Sequence, residues 1–86
     1  MRDALQAARD TIDHVLGSTA RRAGAIHPDD FRADRLYLDG AAFFASSMGA
    51  TGAAELFGRT AKALYAVPFG ADPRPAYTAV LADLKA

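Results

Sequence analysis

The chain has 86 residues, enough for one small domain and too few for two. Twenty-one residues are Ala, and the bulkier apolar residues are eight Leu, five Phe, three Val, three Tyr, two Ile and two Met, so the apolar content is small in volume. Ten basic residues balance ten acidic ones, which disfavours a strongly basic nucleic-acid binder or an acidic solvating tail. Cys is absent, which removes disulfides, thiolate metal sites and cysteine nucleophiles.

The first ten residues, MRDALQAARD, carry charges at positions 2, 3, 9 and 10 and lack the apolar stretch of a signal peptide. The longest uncharged run is residues 40–54, studded with Gly and Ser and shorter than the roughly 20 apolar residues of a membrane-spanning helix. A cytoplasmic protein without membrane association is the expectation.

In chain order, the first segment runs from Arg2 to about Arg22. Leu5, Ala8, Ile12, Val15 and Leu16 recur at three- and four-residue steps, the mark of one apolar helix stripe. Asp3 in the first turn and Arg21 and Arg22 in the last suit the helix dipole, and Gly24 supplies a stop. Gly17-Ser18 is a point at which this helix can kink or end.

The second segment opens at His27-Pro28-Asp29-Asp30, with proline at the first helical position and carboxylates in the first turn. It predicts a helix from Pro28 to about Ser47, with Phe31, Arg35, Leu38 and Ala42 on one side and Leu36, Phe43 and Phe44 extending it. Asp39-Gly40 can interrupt it.

The third segment predicts a helix from Thr51, a capping residue, to Ala66, stopped by Pro68. Leu56, Phe57, Leu64 and Tyr65 form its bulky face, with Ala53, Ala54 and Ala61 beside them. Residues 67–75 form a loop punctuated by Pro68, Gly70, Pro73 and Pro75. A fourth helix starts near the capping residue Asp72, and Tyr77, Val80, Leu81 and Leu84 give it an apolar stripe. The expected fold is all-α, a compact bundle of about four short helices in a single domain covering residues 1–86.

Two rows of small residues at four-residue spacing run through the middle: Ala41, Ala45, Gly49, Ala53 and Ala42, Ser46, Ala50, Ala54. In one unbroken helix they would form a flat strip that a second helix approaches closely. With a break at Gly49 or Gly52 they belong to two helices. The segment Ala53-Ala54-Glu55-Leu56-Phe57-Gly58, followed by Thr60, Lys62, Leu64 and Tyr65, resembles the AAxLLG…LY pattern of the C-terminal DNA-binding helices of Fis-type bacterial regulators. The resemblance covers about 13 residues and implies a helix pair over 53–66. Arg59, Thr60 and Lys62 would then face phosphates or bases. The chain departs from the pattern at Arg59, at Ala61 and at Pro68, which shortens the second helix.

His14 is one helical turn from Asp10, and His27 adjoins Asp29 and Asp30, but one His per site falls short of a zinc signature. No serine lies in a G-x-S-x-G turn, and neither a P-loop nor a G-x-G-x-x-G run occurs. No enzymatic role, metal or cofactor is expected. Eight aromatics must build much of a thin core, yet adjacent Phe43 and Phe44 point about 100° apart on a helix, so one of them is expected to be exposed or to face a second chain. The leading expectation is a small non-catalytic protein acting by protein–protein contact, as an adaptor, inhibitor or regulatory subunit, and self-associating. Its partner-binding residues are Phe43, Phe44, Met48 and Phe69 as apolar anchors, with Ala45 and Gly49 allowing close approach. The alternative is a helix-turn-helix regulator using Arg59, Thr60 and Lys62.

Overall fold

A computed structural model describes residues 3–86. They form four helices: α1 (Ala4–Ala20), α2 (Pro28–Ser47), α3 (Thr51–Tyr65) and α4 (Arg74–Leu84). The fold is the expected all-α bundle. The start expected for the first helix at Arg2 lies outside the described residues.

Helix starts follow local chemistry. At α1 the Asp3 carboxylate is the N-cap and accepts from the Gln6 amide at 2.8 Å, one step before the first turn. At α2 the cap is His27, whose Nδ1 accepts from the Asp29 amide at 3.1 Å; Pro28 follows, then Asp29 and Asp30 at the positive end of the helix dipole. Thr51 was expected to cap α3 but is its first helical residue, and the cap position is Ala50, with no side-chain bond. At α4 Asp72 accepts from the Arg74 amide at 3.0 Å while Pro73 occupies the cap position.

α2 ends at Ser47 as expected and α3 at Tyr65, one residue before Ala66, whereas the end of α1 differs. α1 passes through Gly17 and stops at Ala20, short of Arg21 and Arg22, and Gly24 (φ +83°) lies in the connector rather than at the helix end. The freed carbonyl of Ala20 and two carbonyls of the connector after it are taken up by Arg74, at the start of α4. Its guanidinium donates to the Ala20 carbonyl at 2.8 Å, to that of Arg22 at 3.1 Å, and to that of Gly24.

α2 and α3 are separated by a glycine turn. Met48 caps α2, and Gly49 takes φ +77°, a conformation that suits a residue without Cβ. The Gly49 amide donates to Ser46 O at 3.0 Å and the Ala50 amide to Ala45 O at 2.9 Å, the two bonds of a Schellman motif. Residues 40–66 are therefore two helices. The small-residue rows are cut at Gly49, and Ala45 and Ala53 are buried where α2 and α3 pack together.

Ile12, Leu16, Leu38, Leu64 and Tyr77 are fully enclosed, with Ala8, Ala45, Ala53 and Ala61 between them. Small residues let helix axes come close, which is how a chain with so little bulk closes its core. α3 lies centrally, packed on α2, α1 and α4. One polar node is enclosed with the apolar residues: Asp34 on α2 accepts from the Thr19 hydroxyl of α1 and the Tyr77 hydroxyl of α4, each at 2.7 Å.

Candidate interaction site

α2 carries apolar residues on both sides. Its inward side is Leu38, Ala41, Ala42 and Ala45, with Asp34 in the polar node. Its outward side is Leu36, Tyr37, Phe43, Phe44 and Met48, exposed to 60%, 49%, 77%, 66% and 70%. The expected arrangement, with Leu36, Phe43 and Phe44 extending the core-facing side, is corrected here. At about 100° per residue Leu36 and Phe43 lie nearly opposite Leu38 and Ala45 and Phe44 lies to one side, while the inward side, where α3 comes close, carries Leu38 and alanines. Both phenylalanines are exposed, not one.

The outward side is uncharged from Ala33 to Met48, because Asp34, Arg35 and Asp39 point elsewhere around the helix. A shallow groove of about 460 Å³ runs along its edge, between Leu36, Tyr37, Gly40, Ala41, Phe44 and Ala45 of α2 and Thr11 of α1 and Phe57 of α3. Contiguous exposed apolar patches on globular domains commonly mark interaction surfaces.

The structure brings together Phe43, Phe44 and Met48 of the expected partner-binding set. Ala45 is buried where α2 meets α3 and reaches the surface only at the edge of the groove. Gly49 is spent on the turn. Phe69 is fully exposed but belongs to another part of the surface, the loop before α4.

The chain matches no known protein-family model, no curated protein and no solved structure.

The helix pair expected over 53–66 is corrected as well. α3 runs unbroken through Gly58, so no turn separates two helices there. Thr60 is buried and its hydroxyl donates to the Leu56 carbonyl at 2.8 Å, one turn back. Arg59 and Lys62 are exposed, and Arg59 lines a polar cleft of about 300 Å³ with Arg9 and Asp83.

A feature the sequence reading missed lies between α2 and the loop before α4. The Arg35 guanidinium stacks between two rings, 4.7 Å from the centroid of Phe31 and 4.7 Å from that of Tyr65. Its Nε is buried without an acceptor. The Tyr65 hydroxyl donates to Asp39 at 2.6 Å, and this bond, chiefly, raises its pKa above the ordinary tyrosine value. Phe31 in turn packs on Tyr77 with ring centroids 6.2 Å apart. Phe31 and Arg35 share a pocket of about 480 Å³ with Ile26, Val67, Pro68 and Phe69. The i, i+4 spacing of Phe31 and Arg35 was the available signal, since it places the two on one helix face. The partner ring, Tyr65, comes from a different helix.

Proposed function

We propose that this chain is a small non-catalytic interaction module, an adaptor, inhibitor or regulatory subunit, that works by docking the outward face of α2 on another polypeptide. The observation that carries this reading is the exposure of Phe43, Phe44 and Met48 side by side on an uncharged helix face. Water around such a face is released when a second apolar surface covers it, and large rings near the centre of a contact are the usual source of binding energy. The face is presented on a helix rather than a loop, so docking requires little ordering of backbone.

The test is sedimentation velocity over about 1–200 µM with the wild-type chain, Phe43→Asp and Phe44→Asp, alongside circular dichroism. We expect the wild type to form a larger species that weakens on dilution. Each variant should stay monomeric with unchanged helicity, since neither ring is part of the core. A wild-type chain that is monomeric throughout removes self-association from the reading, and an association that both variants leave intact overturns the docking face. Loss of helical signal in both variants would show that the rings hold the fold together.

A further inference from the structure

The outward face of α2 has an internal symmetry centred on Gly40. Three and four positions before it stand Tyr37 and Leu36; three and four positions after it stand Phe43 and Phe44. Seven positions before it is Ala33, and seven after it is Ser47. Offsets of three, four and seven share one face of a helix. All seven residues are exposed and none is charged. The face therefore reads small, bulky, bulky, glycine, bulky, bulky, small in either direction.

Glycine in the middle of a helix disfavours it relative to alanine, so its presence needs a reason. This fold supplies none, because a Cβ built on Gly40 meets nothing within 4 Å. What the missing side chain does is leave a notch between the two bulky pairs, in the lining of the groove described above.

We propose that this face pairs with a second copy of the same chain, α2 against α2 and antiparallel, with the twofold axis passing at Gly40. The inference rests on the docking role given to that face in the preceding section. A pattern that is the same in both directions is what a twofold contact requires, since each residue must meet its mirror position on the partner. In this register Leu36 meets the partner's Phe44, Tyr37 meets the partner's Phe43, and Ala33 meets the partner's Ser47. The two glycines face each other and let the helices approach closely.

Size and charge agree. The exposed parts of Leu36, Tyr37, Phe43 and Phe44 amount to about 500 Å² per copy and about 1,000 Å² per pair, the least that a specific interface buries. The chain has no net charge, so two copies approach without long-range repulsion.

The register is tested by cross-linking. The wild-type chain has no cysteine, so an introduced thiol is the only one present. Full-length Ala33→Cys and Ser47→Cys chains, distinguishable by mass, are mixed and treated with a short bis-maleimide. An antiparallel pair centred on Gly40 holds positions 33 and 47 of opposite copies together, while the two copies of position 47 lie about 21 Å apart. We expect the mixed 33–47 product to exceed either same-site product at least tenfold. Gly40→Ala should weaken self-association at least tenfold while the isolated chain stays folded, because only the partner would meet the added methyl.

Dominant 47–47 product would mean a parallel pair and overturn the proposal. So would a pair that forms without cross-linking at these sites, or one indifferent to Gly40→Ala. Those outcomes leave the docking face standing if Phe43→Asp still abolishes association. If association survives Phe43→Asp, the docking face fails too. A chain that stays monomeric yet binds phospholipid vesicles through Phe43 and Phe44 overturns both and assigns the face to a lipid surface.

Discussion

Asp34 is the residue on which three helices converge. It is a carboxylate largely enclosed among apolar residues, and one of its oxygens accepts from both Thr19 and Tyr77. Burying such a group without donors is costly, so the two hydroxyls matter more for what their loss leaves behind than for the bonds themselves. Tyr77→Phe keeps the ring and removes one donor. It should lower stability at neutral pH by about 1–2 kcal/mol, read from urea denaturation. The same variant tests a pH effect. Burial, and then the bond to Asp34, push the Tyr77 pKa far above its ordinary value. In the unfolded chain tyrosine ionises near pH 10, whereas in the fold it stays neutral. The resulting contribution to stability is complete below about pH 10 and is lost as pH rises further, because only the unfolded state gives up its proton there. The wild type should therefore lose stability steeply above about pH 10 and Tyr77→Phe should lose less. Equal alkaline slopes for the two would show that Tyr77 ionises alike in both states.

At the scale of the helix, boundaries set by local chemistry were legible, the ends of α2 at Ser47 and of α3 at Tyr65 among them, while the Thr51 cap and the end of α1 were not. Pro28, Asp29 and Asp30 mark the start of α2 because their preference is local: a fixed φ and a charge near the first free amides. Asp3 and Asp72 act in the same local way. The end of α1 depends on Arg74, more than 50 residues away in sequence, and no local pattern announces that. The arginine fork answers the Ala20 carbonyl at the end of α1 and two carbonyls of the connector at once, and so ties the start of α4 to both. Arg74→Ala should lower stability by about 1–2 kcal/mol. It should also speed amide hydrogen exchange in the last turn of α1 before exchange rises elsewhere. Arg74→Lys should recover little of the loss, since one ammonium cannot span three carbonyls. Uniform exchange across α1 in Arg74→Ala would mean the latch does nothing local.

For the whole molecule, the fold class was legible and the sidedness of α2 was not. Reading bulky residues as core places Leu36, Phe43 and Phe44 inside. The packing inverts this because alanine, not phenylalanine, fits where α2 and α3 press together. A helix apolar on both sides gives no periodic signal to choose between them. The exposed triad of Phe43, Phe44 and Met48 was named from sequence. The burial of Ala45 was not legible, because its small size reads alike on either side of the helix. If copies pair through α2, folding and assembly share their free energy. The melting temperature of the wild type should then rise with protein concentration while that of Phe43→Asp does not. A wild-type melting temperature constant from about 5 to 200 µM would argue that the folded chain gains nothing from assembly.

The turn at Gly49 places one further demand on this chain. α2 and α3 fold back on each other through a connector of three residues in which one dihedral, φ +77° at Gly49, is hard for any residue with a Cβ to adopt. Were that dihedral and the ψ of 75° at Ala50 both to become helical, α2 and α3 would fuse into one rod of 38 residues, about 57 Å long. The alanine rows cut at Gly49 would become continuous, and α3 would find its packing site only on another copy. Short hinges under this kind of constraint invite domain swapping. Gly49→Leu is thus expected to shift the chain toward an elongated, exchanged dimer, visible as an increased radius of gyration in small-angle scattering. That dimer should be insensitive to Phe43→Asp, because it would be held together by the core rather than by the surface.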